Sequence, residues 1–172
     1  DIDYLTFIGQ DDETAGYLSG IRLADAGATK GVCVNHQAGN AGLDARCEGF
    51  QSAFDVYGLA ADILDIPGDP DLSQQPVADY LAANPDVDGV LTLGPAGAHP
   101  LYAAMDQQGL GAGVLLHGTF DLSDQVVERI KDGTTLFAVD QQPFLQGYAT
   151  VSTLALFNRY GILPALSVTD TG

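Results

Sequence analysis

Polar side chains in this sequence collect where its apolar runs stop. Gln10 and Asp11 follow "YLTFIG", Asn35 and His36 close "KGVCVNH", and Arg46 stands in the segment after it. His117 and Asp121 lie in and just after "GVLLHGTF", and Gln141 follows "TTLFAVD". The set holds carboxylates, amides, imidazoles and a guanidinium, but no lysine. The planar groups among these meet vicinal hydroxyls with two-pronged hydrogen bonds. A site built this way leaves its own groups unpaired when a hydroxyl is missing, so it rejects close analogues. The residue types point to a neutral polyhydroxy ligand such as a sugar.

The patterns that covalent or phosphoryl chemistry requires are not met. "GPAGAHP" matches neither phosphate-binding pattern and reads as a tight turn. No G-x-S-x-G elbow occurs. Cys33 and His36 are a nucleophile and a base by type, but Cys33 falls mid-strand, where its side chain points into the core. A phosphoacceptor domain would combine Asp11 and Asp12 with a lysine at a later strand end. Lys30 and Lys131 lie elsewhere. His36, His99 and His117 lack the compact spacing of a zinc site. The reading is a binding protein with no catalytic residue, metal or cofactor.

These residues must be positioned by a regular scaffold, and the hydropathy pattern supplies one. Strand-like runs "YLTFIG", "KGVCVNH", "AADILDIPG", "DGVLTLG", "GVLLHGTF" and "TTLFAVD" alternate with helical segments. "DETAGYLSGIRLADAG" has acids in its first turn and Gly27 after its end, as helix termini prefer. "NAGLDARCEGFQSAFDVYG" ends at Gly58, and "SDQVVERIKDG" starts at Ser123. Pro76 is expected to confine the regular helix of "PDLSQQPVADYLAANP" to the residues after it. "AHPLYAAMDQQG" and the apolar segment opened by Pro143 complete the set. The alternation predicts an α/β fold, a flavodoxin-like three-layer α/β/α sandwich with a mainly parallel sheet in the order 2-1-3-4-5. In such folds ligands bind at the carboxyl ends of the strands, where the polar residues lie.

The chain has 172 residues, enough for one domain with a real core. Its 23 acids against 6 bases give a formal charge of −17, which repels nucleic acid and anionic lipid. No apolar stretch is long enough for a membrane span. Cys33 and Cys47 are either a disulfide or two buried thiols, the former favoured if the protein is exported.

Three stretches carry a family likeness. "NAGLDARCEGF", "GTFDLSDQVVERIKDG" and "FAVDQQPFLQGYA" resemble the second half of type I periplasmic sugar-binding proteins, the ribose-binding-protein-like group. This group is related to the effector domains of lac-repressor-like regulators. The most specific part is Asp121, then Gly133 twelve residues later, then a Q-x-P at Gln141–Pro143. The likeness runs in order along essentially the whole chain. It implies one lobe of a periplasmic binding protein type I fold, with Arg46 and Asp121 as sugar ligands and Gln141 as a hinge contact. It places Gln10 and Asp11 at the first crossover between lobes. The family carries an Asn-Asp pair after the fourth strand, where this sequence has Gly94-Pro95. Asn35, His36 or His117 are the side chains available to replace that contact. The residues also admit plainer roles: Arg46 paired with Asp44 or Glu48, Asp121 as a helix N-cap, Gln141 and Gln142 as turn residues before Pro143.

The resemblance further implies a sugar held between two lobes and delivered to an ABC permease, with a periplasmic location. Residues 1–142 are then the carboxyl-side lobe with its crossovers, and residues 143–172 a helix and tail that return to an amino-side lobe outside this chain. Phe144, Leu145, Tyr148, Val151, Leu154, Leu156 and Phe157 make that helix strongly apolar. It is expected to dock on the other lobe, on a second copy in a homodimer through Phe144–Tyr160, or to swap between copies. The alternatives are the effector domain of a lac-repressor-like regulator and a small flavodoxin-like enzyme.

Overall fold

The computed structural model of the protein describes residues 5–163 and 169–170. Chain contacts divide it into two compact units, Asp12–Val139 and a smaller one made of the chain up to Asp11 and from Asp140 onward.

The larger unit holds β2 (Lys30–Asn35), β3 (Ala60–Asp65), β4 (Gly89–Thr92), β5 (Leu116–Phe120) and β6 (Thr135–Val139). β1 (Ile8–Gly9) belongs to the smaller unit. The five strands form an all-parallel sheet in the order β3-β2-β4-β5-β6. The expected 2-1-3-4-5 pattern appears only when the count starts at β2 and not at "YLTFIG", the first of the six expected strands. The first strand-like run does not join it. Of "YLTFIG" only Ile8–Gly9 is strand, and it pairs with β7 (Thr169–Asp170). Tyr4 lies outside the described residues.

Five helices alternate with the strands: α1 (Asp12–Asp25), α2 (Ala41–Val56), α3 (Pro70–Ala83), α4 (Pro95–Gln108) and α5 (Asp124–Lys131). Period-two alternation sends successive strand side chains to opposite faces. Val32, Val34 and Val90 join a core with Leu81, Tyr102 and Val126, under α3, α4 and α5. Cys33 and Leu91 join another with Leu23, Phe50 and Phe54, under α1 and α2.

Two expectations about proline fail. "GPAGAHP" is not a tight turn: Gly94 is the N-cap and Pro95 the first residue of α4. At that position the missing N–H has no intrahelical partner to lose, and the fixed φ suits the helix. Pro76 likewise does not delay α3, which runs from Pro70 through it. Its missing bond is to the carbonyl of Leu72, on an exposed first turn where water can replace it.

The disulfide is formed. Cys33 and Cys47, with Cα atoms 5.5 Å apart, tie the middle of β2 to α2. α1 and α2 pack closely through glycines. A Cβ on Gly16 would collide with the carbonyl oxygen of Arg46, and one on Gly49 with that of Glu13. This approach brings the start of α1 beside Arg46.

The smaller unit contains α6 (Pro143–Tyr160), of which only Thr153 is buried. Phe144 is 86% exposed, and Tyr148, Val151 and Leu154 are also exposed. The Phe144 and Tyr148 rings stack on its surface. Leu5, Ile8, Thr153, Leu154, Phe157 and Leu163 line an apolar groove. No described helix is long and apolar enough to cross a membrane.

Candidate functional site

Polar groups meet at the carboxyl ends of β2, β4 and β5. β2 ends on Asn35 and delivers His36. β4 leads to Gly94, and β5 ends on Phe120 and delivers Asp121. Asn40 caps α2, its Oδ1 accepting from the N–H groups of Gly42 and Leu43 at 3.1 and 3.4 Å. That cap starts the helix so that Arg46, one turn in, faces the strand ends.

Arg46 is 6% exposed, and a guanidinium so deep needs partners. Its Nε and Nη2 donate to Oδ1 of Asp12 at 2.8 and 2.7 Å. Its plane lies over the Phe120 ring, 4.2 Å from the centroid. Asp44 Oδ1 accepts from the Asn35 amide. Sequence reading missed Asp12 because an acid at a helix start is explained by the helix dipole alone. Phe120 is fully buried with Arg46 on its face.

Asp121 follows β5 with φ +58, a left-handed backbone uncommon outside glycine. Its N–H donates to the carbonyl of Val139 at 2.8 Å. It is not the N-cap of α5. Ser123 fills that role, its Oγ accepting from the Val126 N–H at 3.2 Å.

His36 is half-buried, and its ring edge borders Gly94. A Cβ on Gly94 would lie 3.4 Å from His36 Cε1 and 3.9 Å from Asp121 Oδ2. Burial, and secondarily the Arg46 charge, lower the His36 pKa below its ordinary 6.5, while Asp121 opposes them. The imidazole and the carboxylate thus border the space at Gly94, and the Arg46 guanidinium lies close enough to act on the ring.

His117 does not join this cluster. It is fully buried mid-strand, with Nε2 2.9 Å from Thr92 Oγ1 and Nδ1 2.9 Å from Thr135 Oγ1. Burial pushes its pKa down to about 3. Asn35 is also committed: its Nδ2 donates to Asp44 and its Oδ1 accepts from the Gln37 N–H at 3.0 Å. Gln10, Asp11 and Gln141 belong to the smaller unit. There the Gln141 carbonyl accepts from the Gln146 amide at 2.7 Å. Among the described residues no group of three histidine, cysteine or acidic side chains could hold a metal. The disulfide removes Cys33 as a nucleophile.

The profile of the periplasmic binding protein domain matches residues 2–157. The chain belongs to that family. A curated relative, a xylose/arabinose-binding protein of Sulfolobus acidocaldarius, is 27% identical over 161 residues, covering 90% of this chain and 39% of the relative. Two crystal structures are similar throughout. A periplasmic sugar-binding protein of an ABC sugar transporter from Legionella pneumophila superposes with a TM-score of 0.85 at 28% identity, covering 94% of this chain and 60% of that one. A carbohydrate transporter from Acidothermus cellulolyticus, in complex with myo-inositol, gives 0.87 at 30% identity, covering 98% and 57%. The chain thus spans less than two thirds of each relative. The five-stranded sheet with helices on both sides is that of a lobe of the periplasmic binding protein type I fold. Members of this family are solute-binding proteins rather than enzymes.

Proposed function

We propose that this chain is the carboxyl-side lobe of the solute-binding component of an ABC sugar importer, and that the complete protein binds one neutral monosaccharide between two lobes. The observation that carries this reading is the meeting of His36 and Asp121 beside Gly94, with the Arg46 charge close enough to act on the His36 ring. In this reading Arg46 donates to ring hydroxyls and Asp121 accepts from them, while Asp12 and Phe120 hold the guanidinium in place. Asn35 braces the loop that carries His36. The reading assigns Gln10, Asp11 and Gln141 ligand contacts in the complete protein, and His117 a place in the core. Residues 143–172 return to the amino-side lobe, whose surface covers the exposed apolar face of α6. Closure of the lobes on the sugar would then present both to a membrane permease. The formal charge of −17 and the disulfide favour an exported protein over a regulator whose partner is DNA.

The test is calorimetric titration of the full-length protein with pentoses, hexoses and cyclitols. One class should bind tightly, and Arg46→Ala and Asp121→Ala should each weaken it about a hundredfold or more, since each removes a charge-assisted hydrogen bond. The proposal fails if no monosaccharide binds, or if both variants bind as the wild type does.

A further inference from the structure

One polar atom beside the open position has nothing to bond to. Nδ1 of His36 is buried and has no hydrogen-bond partner among the described residues. Native proteins leave few buried polar atoms unsatisfied, and those they do leave are informative. The ring is held at the rim of a gap, because position 94 carries no side chain. Its Cε1 and the Asp121 carboxylate both border the space a Cβ would take there. Gly94 has φ +157 and ψ 178, a conformation essentially restricted to glycine, so the backbone itself keeps this space open.

We propose that His36 is a specificity-determining residue: its Nδ1 exchanges a hydrogen bond with one hydroxyl of the bound monosaccharide, over Gly94 and beside Asp121. The inference rests on the monosaccharide-binding reading above and names a residue that selects among the sugars. The three polar neighbours divide the work. Arg46 can only donate, and a carboxylate such as that of Asp121 accepts. A neutral imidazole offers one donor and one acceptor nitrogen, so it completes the bonding of a hydroxyl that already engages one of the charges. The charged groups acting on the ring are Arg46, from α2, and Asp121, beyond β5. Burial and Arg46 keep it neutral at neutral pH. Because Nδ1 is shielded from water in this structure and Cε1 faces the gap, the bond requires the ring to turn, and a hydroxyl that meets the turned ring satisfies the orphaned nitrogen. A sugar without it leaves that nitrogen buried and bare, and a site of that kind penalises such an analogue strongly.

The experiment uses the full-length protein, its best monosaccharide and each monodeoxy analogue of that sugar. His36→Ala should weaken the parent sugar about tenfold to a hundredfold. One deoxy analogue should bind the wild type and His36→Ala equally, because both lack the same bond. His36→Asn places an amide nitrogen near the position of Nδ1 and should recover most of the affinity. His36→Gln, which reaches the position of Nε2, should not. An unchanged thermal midpoint of His36→Asn shows that the loop is intact. The inference is overturned if His36→Ala loses the same factor for the parent and for every deoxy sugar, or loses nothing. If either result comes while Arg46→Ala and Asp121→Ala still weaken binding, this inference alone falls. If no monosaccharide binds the wild type, the underlying reading falls and takes the inference with it.

Discussion

Replacing Cys33 and Cys47 together by alanine removes a cross-link whose contribution can be worked out in advance. The two residues are 14 apart in sequence. Closing a loop of about 15 residues restricts the unfolded chain by about 3 kcal/mol at room temperature. Both residues are also fully buried, in the core with Phe50, Phe54 and Leu91. Losing the two sulfur atoms there leaves small voids and adds about 1 kcal/mol. The variant should therefore lose about 4 kcal/mol in urea unfolding, and its thermal midpoint should drop by about 10 °C for a chain of this size. Wild type unfolded and refolded under reducing conditions should lose only the cross-link part. Because Cys47 follows Arg46 directly, the variant should also bind ligand more weakly. A loss below about 1 kcal/mol would refute the reasoning, as would capture of two free thiols when the folded, non-reduced protein is alkylated.

Gly49→Ala places a methyl group against the Glu13 carbonyl, where neither helix can yield easily. It should destabilise by about 1–3 kcal/mol in urea unfolding and move Arg46 away from Asp12, and retention of full stability would contradict the close packing of α1 on α2. His117 should make stability fall with acid: the unfolded chain takes up its proton below about 6.5, the folded one not until about 3. Between those values the unfolded state holds more protons, so this group alone lowers stability by up to about 1.4 kcal/mol for each unit that pH falls. Imidazole NMR at pH 5 should show His117 still neutral, and a protonated ring in the folded protein would refute its placement.

The five strands of the sheet were legible in sequence because alternation and run length are local properties. "KGVCVNH" needed only its own residues to be read as β2, and both faces of that strand are indeed buried. Helix ends were harder, since Pro95 and Pro76 break rules that hold for helix interiors but not for first turns or solvent-facing carbonyls. "YLTFIG" had the right composition for a sheet strand, yet only two of its residues are strand, paired outside the main sheet.

The candidate site divides the same way. Arg46 and Asp121 were singled out from their motifs, and the structure gives the N-cap role offered for Asp121 to Ser123. Arg46 bonds Asp12, 34 residues away. That contact exists because Gly16 and Gly49 let two helices touch, and nothing near Arg46 in the chain announces it. His36 and His117 looked equivalent as polar residues at strand ends. His117 lies within β5 and turns into the core, where Thr92 and Thr135 take both its nitrogens. His36 lies one residue beyond β2 and stands beside a glycine, its Nδ1 buried without a hydrogen-bond partner among the described residues. The sequence by itself determined the element types, the chain order of the fold and the kind of chemistry at the strand ends, because those follow from local periodicity and residue type. Only the tertiary structure decided which of those polar groups share a site, because hydrogen-bond partners and burial depend on chain segments that meet only after folding.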